Sequence, residues 1–431
     1  MFERKLEKKM STEDLKQIVH SYIIKETDFL RQKDKMADDE LRNFVDKAIV
    51  QICREQKIEA TLEQRQKIIR DLVSAVVSMG VLQPLMDDPT VTEIMVNGAE
   101  KVYVQRAGKM ILTDIKFESN QSLSHTIQKI LAGSGTSKRV DESCPYADLS
   151  LPDGSRANII LPPCSMIGPV VTIRKFSDQI SVVEDLIRLG ELDDNIATFL
   201  IGAMKAKLNV VFCGSTGAGK TTLMNVFSTH IPEGERIITI EDTAELRLHQ
   251  KHVVSLCSKS ANVEGKGEIT MRDLFVNSLR MRPDRIIVGE LRGGEALDMI
   301  QAIISGHSGS LAIVHAETPE DCFNRLVTMM IMTGIPITTQ EFQAQIANAI
   351  DVIIHVELFM DGKRRVTCLT DVSLDENTKE IKMRDMFKFV EKSITEDGQI
   401  IGEWEFDRRK PSFYFKFEKR RISLPQGFFK E

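Results

Sequence analysis

The sequence predicts an α/β fold in which a mostly parallel sheet occupies the second half of the chain, behind an α+β domain and an N-terminal helical module. Five apolar runs, separated by helical patterns, support this prediction: LNVVFCG, RIITIE, DRIIVGE, SLAIVHA and DVIIHVE. Continuous apolar strands that alternate with helices are typical of a parallel sheet covered on both faces. The length of 431 residues, with 42% hydrophobic residues, is enough for two or three domains.

The first three segments of the chain differ in their patterns. Residues 1–78 predict a helical module, because apolar residues recur at helical spacing and Ser11 with Asp14 makes a capping box. Residues 79–176 carry short β-like runs, such as EIMVNG and KVYVQRAGKM, between Asn-Gly and Asp-Gly turns, and they predict a compact α+β domain. The polar, helix-forming residues 177–195 are the expected linker.

The last two segments are the predicted sheet domain, residues 196–372, and a C-terminal extension, residues 373–431. In the extension, the stretch MRDMFKFVEKSI predicts a helix. The alternating Phe413, Phe415 and Phe417 predict the inward face of a strand, since side chains alternate between the two faces of a strand. The basic residues around them leave a nucleic-acid surface open as an alternative.

Composition and charge argue against several classes of protein. The formal net charge is −6, so no overall basic field favours nucleic acid. No apolar run reaches the ~18–20 residues of a transmembrane helix, and the first residues lack the apolar region of a signal peptide. The seven cysteines are scattered without a CxxC pair, which fits reduced thiols and gives no zinc-ribbon pattern. The expected location is the cytoplasm.

A glycine-rich stretch after the run LNVVFC matches the pattern G-x-x-x-x-G-K-[ST] in full. Its glycines let the backbone wrap a phosphate with the amides pointing inward, and the helix that opens at Lys220 adds a favourable dipole. Lys220 is expected to reach the β- and γ-phosphates of ATP, and the Thr221 hydroxyl to bind Mg²⁺. The predicted nucleotide-binding residues are Gly214, Ser215, Thr216, Gly217, Ala218, Gly219, Lys220, Thr221 and Thr222. The sheet and this motif together predict a RecA-like P-loop NTPase domain.

Acidic residues end two of the predicted strands, at the edge of the sheet where the glycine turn is expected. RIITIEDTAEL ends in Glu241 and Asp242, with Glu245 just beyond, and DRIIVGELRGGEA ends in Glu290. A P-loop needs carboxylates to hold the shell of the metal and to orient the attacking water. The two strand ends supply candidates for both tasks, although the second ends in Gly289-Glu290 rather than in the more common aspartate.

Two histidines, His307 and His315, flank an apolar run in the stretch SGHSGSLAIVHAE. Ligands of open α/β sheets gather outside the carboxyl ends of the strands, where His315 is expected, with His307 in the loop before its strand. The sequence favours a polar pair that faces the γ-phosphate. A packed core histidine is the alternative for His315, and zinc is disfavoured because no Cys or third His is spaced to complete a site.

Four motifs in this order resemble those of the type II and type IV secretion ATPase superfamily: GSTGAGKTT, IEDTAEL, VGELRGGEA and GHSGSLAIVHA. Within it the chain is similar to the CpaF type, the motor of tight-adherence pilus assembly. The upstream stretches DDPTVTEIMVNG, LPDGSRANIILPP and GPVVTIRKF extend the resemblance to roughly residues 75–390. The missing tetracysteine zinc module and the missing AIRNLIRE-like segment also favour this type. Ser308 and the stretch HAETP depart from the common pattern around the two histidines.

The resemblance implies an architecture and partners. Members are homohexameric motors whose subunits have two domains joined by a flexible linker, with ATP and Mg²⁺ between the domains. Such a motor docks onto an inner-membrane platform protein, so peripheral association with the inner face of the cell membrane is expected. Neither a transmembrane segment of its own nor a nucleic-acid partner is expected.

The resemblance also implies roles for matching residues. Glu290 is expected to orient or deprotonate the attacking water, with Glu241 supporting the Mg²⁺ shell, and the choice of general base between them stays open. Both glutamates and Thr221 are thus the expected metal ligands. Arginines complete the site, since a guanidinium is a planar, permanently charged fork suited to phosphate. They are Arg156 and Arg174 from the N-terminal domain, and Arg280 and Arg282 as candidate arginine fingers, with the choice between action within the subunit and across a subunit boundary left open.

Other functions remain open alternatives from the sequence. A type IV secretion ATPase is the nearest. A RecA-like nucleic-acid translocase shares the sheet and the P-loop, and a nucleotide-dependent scaffold that does not hydrolyse ATP is a third possibility. Whether a pilus motor of this kind extends or retracts its fibre is equally open.

Overall fold

The computed structural model describes residues 19, 38–56, 58, 60–61, 64–66, 68–69 and 79–430, apart from 107, 135–139, 142, 176–179, 260, 262–265 and 376. Much of the helical module predicted over residues 1–78, including the capping box at Ser11, lies outside these residues. The chain forms two compact units, Met1–Phe176 and Ser177–Glu431.

The described part of the N-terminal module contains one long helix, α1 (Asp38–Gln56). Val45 and Ile49 are buried on one face of it, as their i, i+4 spacing dictates. Further along, Thr61 and Gln64 exchange hydrogen bonds: the Thr61 N–H donates to Gln64 Oε1 at 3.0 Å, and the Gln64 N–H donates to Thr61 Oγ1 at 3.1 Å. This reciprocal pair is the helix start that the sequence predicts at Thr61.

The rest of the first unit is a six-stranded antiparallel sheet with helices packed on it. Its elements are a 3₁₀ turn (Gly80–Leu82), α2 (Gln83–Asp87), β1 (Val91–Asn97), β2 (Lys101–Arg106), β3 (Lys109–Leu112), α3 (Asn120–Gly133), β4 (Tyr146–Ser150), β5 (Arg156–Ile160) and β6 (Val170–Arg174). The strand order is β3-β2-β1-β6-β5-β4, and every pair is antiparallel. Leu123 and Ile127 of α3 are buried in the same core as Ile94 and Ile173 of the sheet. This is the α+β architecture that the sequence predicts.

The second unit contains a larger, mixed sheet and eight helices among the described residues. Its elements are α4 (Val183–Arg188), α5 (Asp194–Lys205), β7 (Val210–Gly214), α6 (Lys220–Ser228), β8 (Ile237–Glu241), β9 (Val253–Cys257), α7 (Met271–Ser278), β10 (Arg285–Val288), α8 (Glu295–Ile304), β11 (Leu311–His315), α9 (Pro319–Ile331), α10 (Thr339–Ala349), β12 (Val352–Leu358), β13 (Arg364–Leu374), β14 (Ile381–Ile394), β15 (Ile400–Phe406) and α11 (Tyr414–Arg420). The strand order is β15-β14-β13-β12-β7-β11-β10-β8-β9.

The six strands from β12 to β9 are parallel, and β13, β14 and β15 add an antiparallel flank. The five strands predicted from apolar runs are confirmed as β7, β8, β10, β11 and β12. Along β7, Val210 and Phe212 face one hydrophobic core, and Val211 and Cys213 face the other. Both faces of the central parallel strands are therefore covered, which is why β7, β8, β10 and β11 are buried along almost their whole length.

Two predictions for the C-terminal extension are wrong. The stretch MRDMFKFVEKSI forms most of strand β14 instead of a helix, because β13 and β15 pair with it on both sides. The segment around Phe415 forms helix α11 instead of a strand. Phe413 and Phe417 are buried four positions apart, whereas Phe415 is 57% exposed. The spacing that buries these rings is thus helical, and both buried rings pack against Phe199.

The second unit continues beyond the limits of the predicted sheet domain in both directions. Val183 and Leu186, in the segment predicted as a linker, are buried in the same core as Phe199 of α5. Strand β13 runs across the predicted boundary at residue 372, and the next two strands extend the same sheet. Among the described residues, no helix combines the length and the hydropathy needed to cross a membrane.

Candidate functional site

The glycine turn joins the end of β7 to the start of α6 and lies at the carboxyl edge of the parallel strands. Gly217 and Gly219 have φ angles of 80° and 97°, which residues with a side chain rarely adopt. A Cβ on Gly214 would lie 2.1 Å from the Val356 carbonyl oxygen of the neighbouring strand β12. The glycines of the predicted motif are therefore required by backbone conformation and by close packing.

Lys220, the first residue of α6, is 6% exposed and is directed back into this turn. Its Nζ donates hydrogen bonds to the carbonyl oxygens of Gly214 at 2.9 Å and Ser215 at 2.7 Å. The same ammonium lies 3.4 Å from Nδ1 of His315. A buried ammonium at a glycine turn is well placed for an anion, because hydrogen bonds between charged partners are the stronger ones.

His315 and Glu290 continue from Lys220 as a chain of polar contacts. His315 Nε2 lies 3.5 Å from Glu290 Oε1, and Arg292 Nη2 donates to Glu290 Oε2 at 2.7 Å. Because Nδ1 of His315 faces an ammonium, which has no acceptor, the ring proton belongs on Nε2 and points toward Glu290. The structure thus places two predicted site residues, His315 and Glu290, together beside the lysine of the motif.

The charges of this cluster set its protonation. Burial lowers the pKa of His315, the neighbouring charge of Lys220 lowers it further, and Glu290 offsets only part of the effect. His315 is therefore a neutral imidazole at physiological pH. Burial alone would raise the pKa of Glu290, but the hydrogen bond and charge of Arg292, aided by His315 and Lys220, hold it below its ordinary value. Glu290 is therefore an ionised carboxylate.

Glu241, the last residue of β8, and Glu245, which follows the strand, make different contacts. Glu241 is buried, and its Oε2 accepts hydrogen bonds from the backbone N–H groups of Glu245 at 2.8 Å and Leu246 at 2.9 Å. Glu245, which has no role in the sequence-based prediction, accepts a hydrogen bond from the Thr221 hydroxyl at 3.1 Å. Glu241 therefore fixes the backbone at Glu245 and Leu246. Glu245 is the carboxylate that is hydrogen-bonded to the hydroxyl predicted to bind Mg²⁺. The spacing of the two acids in IEDTAEL was the available signal.

The structure does not bring His307, Arg280 and Arg282 to this cluster within the chain. His307 lies before the first residue of β11, with Nδ1 3.2 Å from the Ala302 carbonyl oxygen, whereas His315 ends that strand. The predicted pair of histidines is therefore not formed. Arg280 and Arg282 are exposed in the loop before β10, whose far end leads to Glu290. All three lie at the sheet edge opposite the glycine turn.

The two predicted arginines of the first unit are direct neighbours. In the strand register, Arg156 on β5 is paired with Arg174 on β6. On the other side of β6, Arg174 is paired with Glu93 on β1. The Arg174 Nε lies 3.9 Å from Glu93 Oε1. Like charges directly opposite each other destabilise a sheet. A bound anion would relieve this repulsion, so the pair suits a phosphate.

Arg364, which sequence reasoning missed, also touches the glycine turn. It starts β13, and its Nε donates to the Gly217 carbonyl oxygen at 3.0 Å. A Cβ on Gly219 would lie 2.9 Å from Cδ of Arg364. No motif marks this arginine, because the hairpin between β12 and β13 alone brings it across the turn.

The residues present fit a nucleotide and Mg²⁺. Gly214, Gly217 and Gly219 have positive φ angles that let the backbone curve around a phosphate, and the Lys220 ammonium is hydrogen-bonded to the same turn. Mg²⁺ is usually bound through one or two protein oxygens, with phosphates and water supplying the rest. The Thr221 hydroxyl with the Glu245 carboxylate provides such a set, and Glu290 supplies a second carboxylate near the lysine.

A parallel sheet with a glycine turn, a buried lysine and a following helix at its carboxyl edge defines a P-loop protein of the α/β class. The chain belongs to the Type II/IV secretion system protein family, whose model matches residues 76–388.

Several known proteins are similar over most of the chain. It is 34% identical over 331 residues to the type IV secretion system protein VirB11 of Brucella suis, a match that covers 69% of this chain and 89% of that protein. It is 32% identical over 304 residues to a protein of Mycobacterium tuberculosis provisionally named as a conjugal transfer protein, covering 69% and 85%. The crystal structure of the VirB11 ATPase of the Brucella suis type IV secretion system with sulphate covers 71% of this chain and 99% of that one, at 30% identity and a TM-score of 0.37.

Proposed function

We propose that the protein is a Mg²⁺-dependent ATPase that works as a homohexameric motor of a pilus or secretion machine. The observation that supports this most directly is the chain of contacts from Lys220 through His315 and Glu290 to Arg292 at the end of the glycine turn. In this proposal the terminal phosphate of a nucleotide bound in the turn would lie beside an ionised carboxylate, a neutral imidazole and two cations. Phosphoryl transfer is catalysed mainly by such positioning and charge stabilisation.

Each residue in this series of contacts has a role in the proposed mechanism. When a nucleotide binds, Lys220 would replace its hydrogen bonds to the Gly214 and Ser215 carbonyl oxygens with hydrogen bonds to phosphate oxygens. Glu290 accepts a hydrogen bond from the attacking water, while Arg292 and His315 fix the two carboxylate oxygens in place. A carboxylate with a lowered pKa is a weak base, which suits a reaction whose transition state is largely dissociative and requires orientation of the water more than early removal of its proton.

The metal would be held by Thr221 and Glu245, with Glu290 close by. When bound, Mg²⁺ would neutralise charge on the phosphate oxygens. The role of Glu241 in this proposal is indirect, because its carboxylate holds the backbone that presents Glu245.

Nucleotide-driven opening and closing would turn hydrolysis into work. Arg156 and Arg174 would bind the terminal phosphate, so that ATP favours a closed arrangement of the two domains, which hydrolysis then releases. A ligand shifts such an equilibrium only by its differential contacts with the two states, and the phosphate supplies them. The adjacency of these two arginines on β5 and β6 supports the idea.

The finer assignment we propose is a CpaF-type motor for assembly, and in some systems retraction, of a tight-adherence or type IV-like pilus. It rests on the motif resemblance and on the lack of a CxxC pair. The motor would bind an inner-membrane platform protein at the inner face of the membrane. A type IV secretion ATPase is the second candidate, favoured by the 34% identity to VirB11 of Brucella suis. Deletion of the gene distinguishes them: loss of surface pili supports the first, and loss of substrate transfer with intact pili supports the second.

The test of the ATPase is the Lys220→Ala variant. It is expected to abolish Mg²⁺-dependent phosphate release, because the ammonium that is hydrogen-bonded to the glycine turn is removed. Lys205→Ala, at the exposed end of α5, is the control and keeps full activity. Full turnover by Lys220→Ala would refute the site. Single-stranded DNA is expected to leave the rate unchanged, and strong stimulation would favour the translocase.

A further inference from the structure

The hairpin that joins β12 to β13 contacts the glycine turn at three points. A Cβ on Gly214 would lie 2.1 Å from the Val356 carbonyl oxygen of β12. A Cβ on Gly219 would lie 2.9 Å from Cδ of Arg364, the first residue of β13. Nε of Arg364 also donates a hydrogen bond to the Gly217 carbonyl oxygen at 3.0 Å. The turn is therefore packed against this hairpin and hydrogen-bonded to one of its side chains.

The hairpin is itself fixed by a buried ion pair. Arg365, next to Arg364, donates hydrogen bonds to the two carboxylate oxygens of Asp361 at 3.1 Å and 2.6 Å, and both side chains are buried. Arg365 also donates to the Ile400 carbonyl oxygen at 3.0 Å, and Asp361 accepts from the Ile400 N–H at 3.2 Å. The guanidinium lies 4.8 Å from the centre of the Phe359 ring. These contacts hold the backbone that carries Arg364 and join it to β15.

The glycine turn needs a support from outside because its own residues restrain it little. Glycine loses more conformational freedom on ordering than any other residue, and Gly217 has a φ angle of 80°. Lys220 is hydrogen-bonded to the carbonyl oxygens of Gly214 and Ser215. In the proposed function these two hydrogen bonds are replaced when a nucleotide binds. The hydrogen bond from Arg364 to Gly217 involves no group that the proposed function assigns to the phosphates, so it can hold the turn before and after binding.

We propose that Arg364 is a positioning residue for phosphate binding: its Nε–H holds the Gly217 carbonyl and keeps the glycine turn in the conformation that receives the phosphates of a nucleotide. The residue acts through the turn, and the phosphates are bound by other groups. A site that is already held in its bound conformation binds more tightly, because less conformational freedom is lost on association. This inference rests on the proposed nucleotide site and deepens it by adding a residue from the antiparallel flank of the sheet.

Two substitutions separate the Nε–H of Arg364 from its charge. In Arg364→Gln the amide nitrogen is as many bonds from Cα as Nε is in arginine, so a donor to the Gly217 carbonyl is kept while the charge is lost. In Arg364→Met a methyl group takes that position, so the donor is lost together with the charge. Lys363→Met, at the exposed neighbouring position, is the matched control for the loss of one positive charge from the hairpin.

Isothermal titration with ATP and with inorganic tripolyphosphate, which lacks the nucleoside, gives the readout. Arg364→Met is expected to bind both ligands about tenfold more weakly than the wild type, because the turn loses a hydrogen bond from a charged donor. Arg364→Gln is expected to stay within about threefold of the wild type for both ligands, and Lys363→Met within about twofold. Arg364 is half-buried, so neither substitution opens a core cavity, and urea unfolding without nucleotide verifies that each variant folds.

Three results would overturn the inference. Wild-type affinities in Arg364→Met would show that the turn does not need this support. Equal weakening in Arg364→Gln and Arg364→Met would show that the charge of Arg364 acts on the ligand directly. Weaker binding of ATP with unchanged binding of tripolyphosphate would place Arg364 on the nucleoside. A wild-type protein that binds neither ligand would instead refute the nucleotide site on which the inference rests.

Discussion

At the scale of single residues, the two glutamates predicted for catalysis differ in the groups that their carboxylate oxygens contact. The Glu290 carboxylate contacts two side chains, Arg292 and His315. In Glu241, by contrast, one carboxylate oxygen accepts hydrogen bonds from two backbone amides. The first arrangement leaves a carboxylate available to a water molecule. The second makes the carboxylate part of the scaffold.

This difference predicts opposite behaviour of two variants. Glu290→Gln is expected to bind ATP with nearly unchanged affinity and to lose about 10²–10⁴-fold in single-turnover hydrolysis, the range for a positioned acid or base. Its unfolding free energy is expected to fall by no more than about 1 kcal/mol, since glutamine fills the same space and the ion pair with Arg292 that is lost is partly exposed. Glu241→Ala is expected to lose about 2–4 kcal/mol of stability in urea unfolding, because two amide groups lose their acceptor. A stable Glu241→Ala that fails only in hydrolysis would return the metal-binding role to Glu241.

Glu191, a buried residue between α4 and α5, predicts a measurable dependence of stability on pH. Burial raises its pKa to about 7 in the folded protein, against an ordinary value of 4.5, and the charge of Arg364 opposes this only in part. Between these values the folded state binds a proton that the unfolded state does not, so stability is greatest at low pH and falls as pH rises through about 7. Glu191→Gln removes this loss, and its advantage over the wild type is expected to grow by about 2–3 kcal/mol from pH 5 to pH 8. Urea unfolding at the two pH values measures it, and a pH-independent difference would contradict the prediction.

The sequence predicts position best for the residues whose backbone the motif determines. The glycine turn and Lys220 follow from the chain itself, because strand, turn and helix are consecutive. Glu245 and Arg364 depend on which way a side chain points across neighbouring elements, and nothing in the local sequence records that. His307 is a different kind of error. A strand separates it from His315, and the two ends of one strand lie at opposite edges of a sheet.

At the scale of elements, the C-terminal helix is held to the parallel sheet by a buried ion pair. Lys416 Nζ on α11 lies 2.7 Å from both oxygens of Asp351, which also accepts from the Asn209 N–H at 2.7 Å. Burial raises the pKa of Asp351, and Lys416 opposes that change. The pair joins the end of the chain to the segment between α10 and β12.

Breaking this pair is expected to be costly. Lys416→Ala leaves the Asp351 charge buried beside a single amide, and removal of one partner of a buried ion pair typically costs about 3–5 kcal/mol. Lys419→Ala, on the exposed side of the same helix, is expected to change the unfolding free energy by less than about 0.5 kcal/mol. Chemical denaturation of the two variants beside the wild type measures the difference. Equal stability of the two would show that α11 is held by its buried phenylalanines alone.

The same helix shows why elements near the C-terminus were mispredicted. The buried faces of α11 and β14 are determined by the elements that pack against them. Both segments are short amphipathic stretches whose apolar residues fit a helical period and a strand period about equally well. Met386 and Phe387 are adjacent and both buried, which neither a simple strand nor a simple surface helix dictates. Inside the parallel sheet no such ambiguity existed, because every residue of β7, β8 and β10 is buried.

At the scale of the whole molecule, the position of Arg280 and Arg282 bears on assembly. Strand β10 is about 13 Å long, and these arginines precede it while Glu290 follows it. They are therefore at the wrong edge of the sheet to reach a nucleotide in the glycine turn of their own chain. If they act on a phosphate, as the family resemblance implies, the nucleotide belongs to a neighbouring subunit.

Mixed assemblies test this directly. The double variant Arg280→Ala/Arg282→Ala keeps its own glycine turn but lacks the fingers, and Lys220→Ala keeps the fingers but lacks the turn. Each is expected to be nearly inactive alone. Co-expressed in equal amounts, they are expected to regain about a quarter of the wild-type rate, because a complete site forms wherever the double variant faces a Lys220→Ala neighbour in a ring. The control is a co-expressed mixture of Lys220→Ala and Glu290→Gln subunits. It is expected to stay inactive, since both changes affect the same pocket of a subunit. A mixture no more active than its components, or full activity of the double variant alone, would show that these arginines do not complete a neighbour's site.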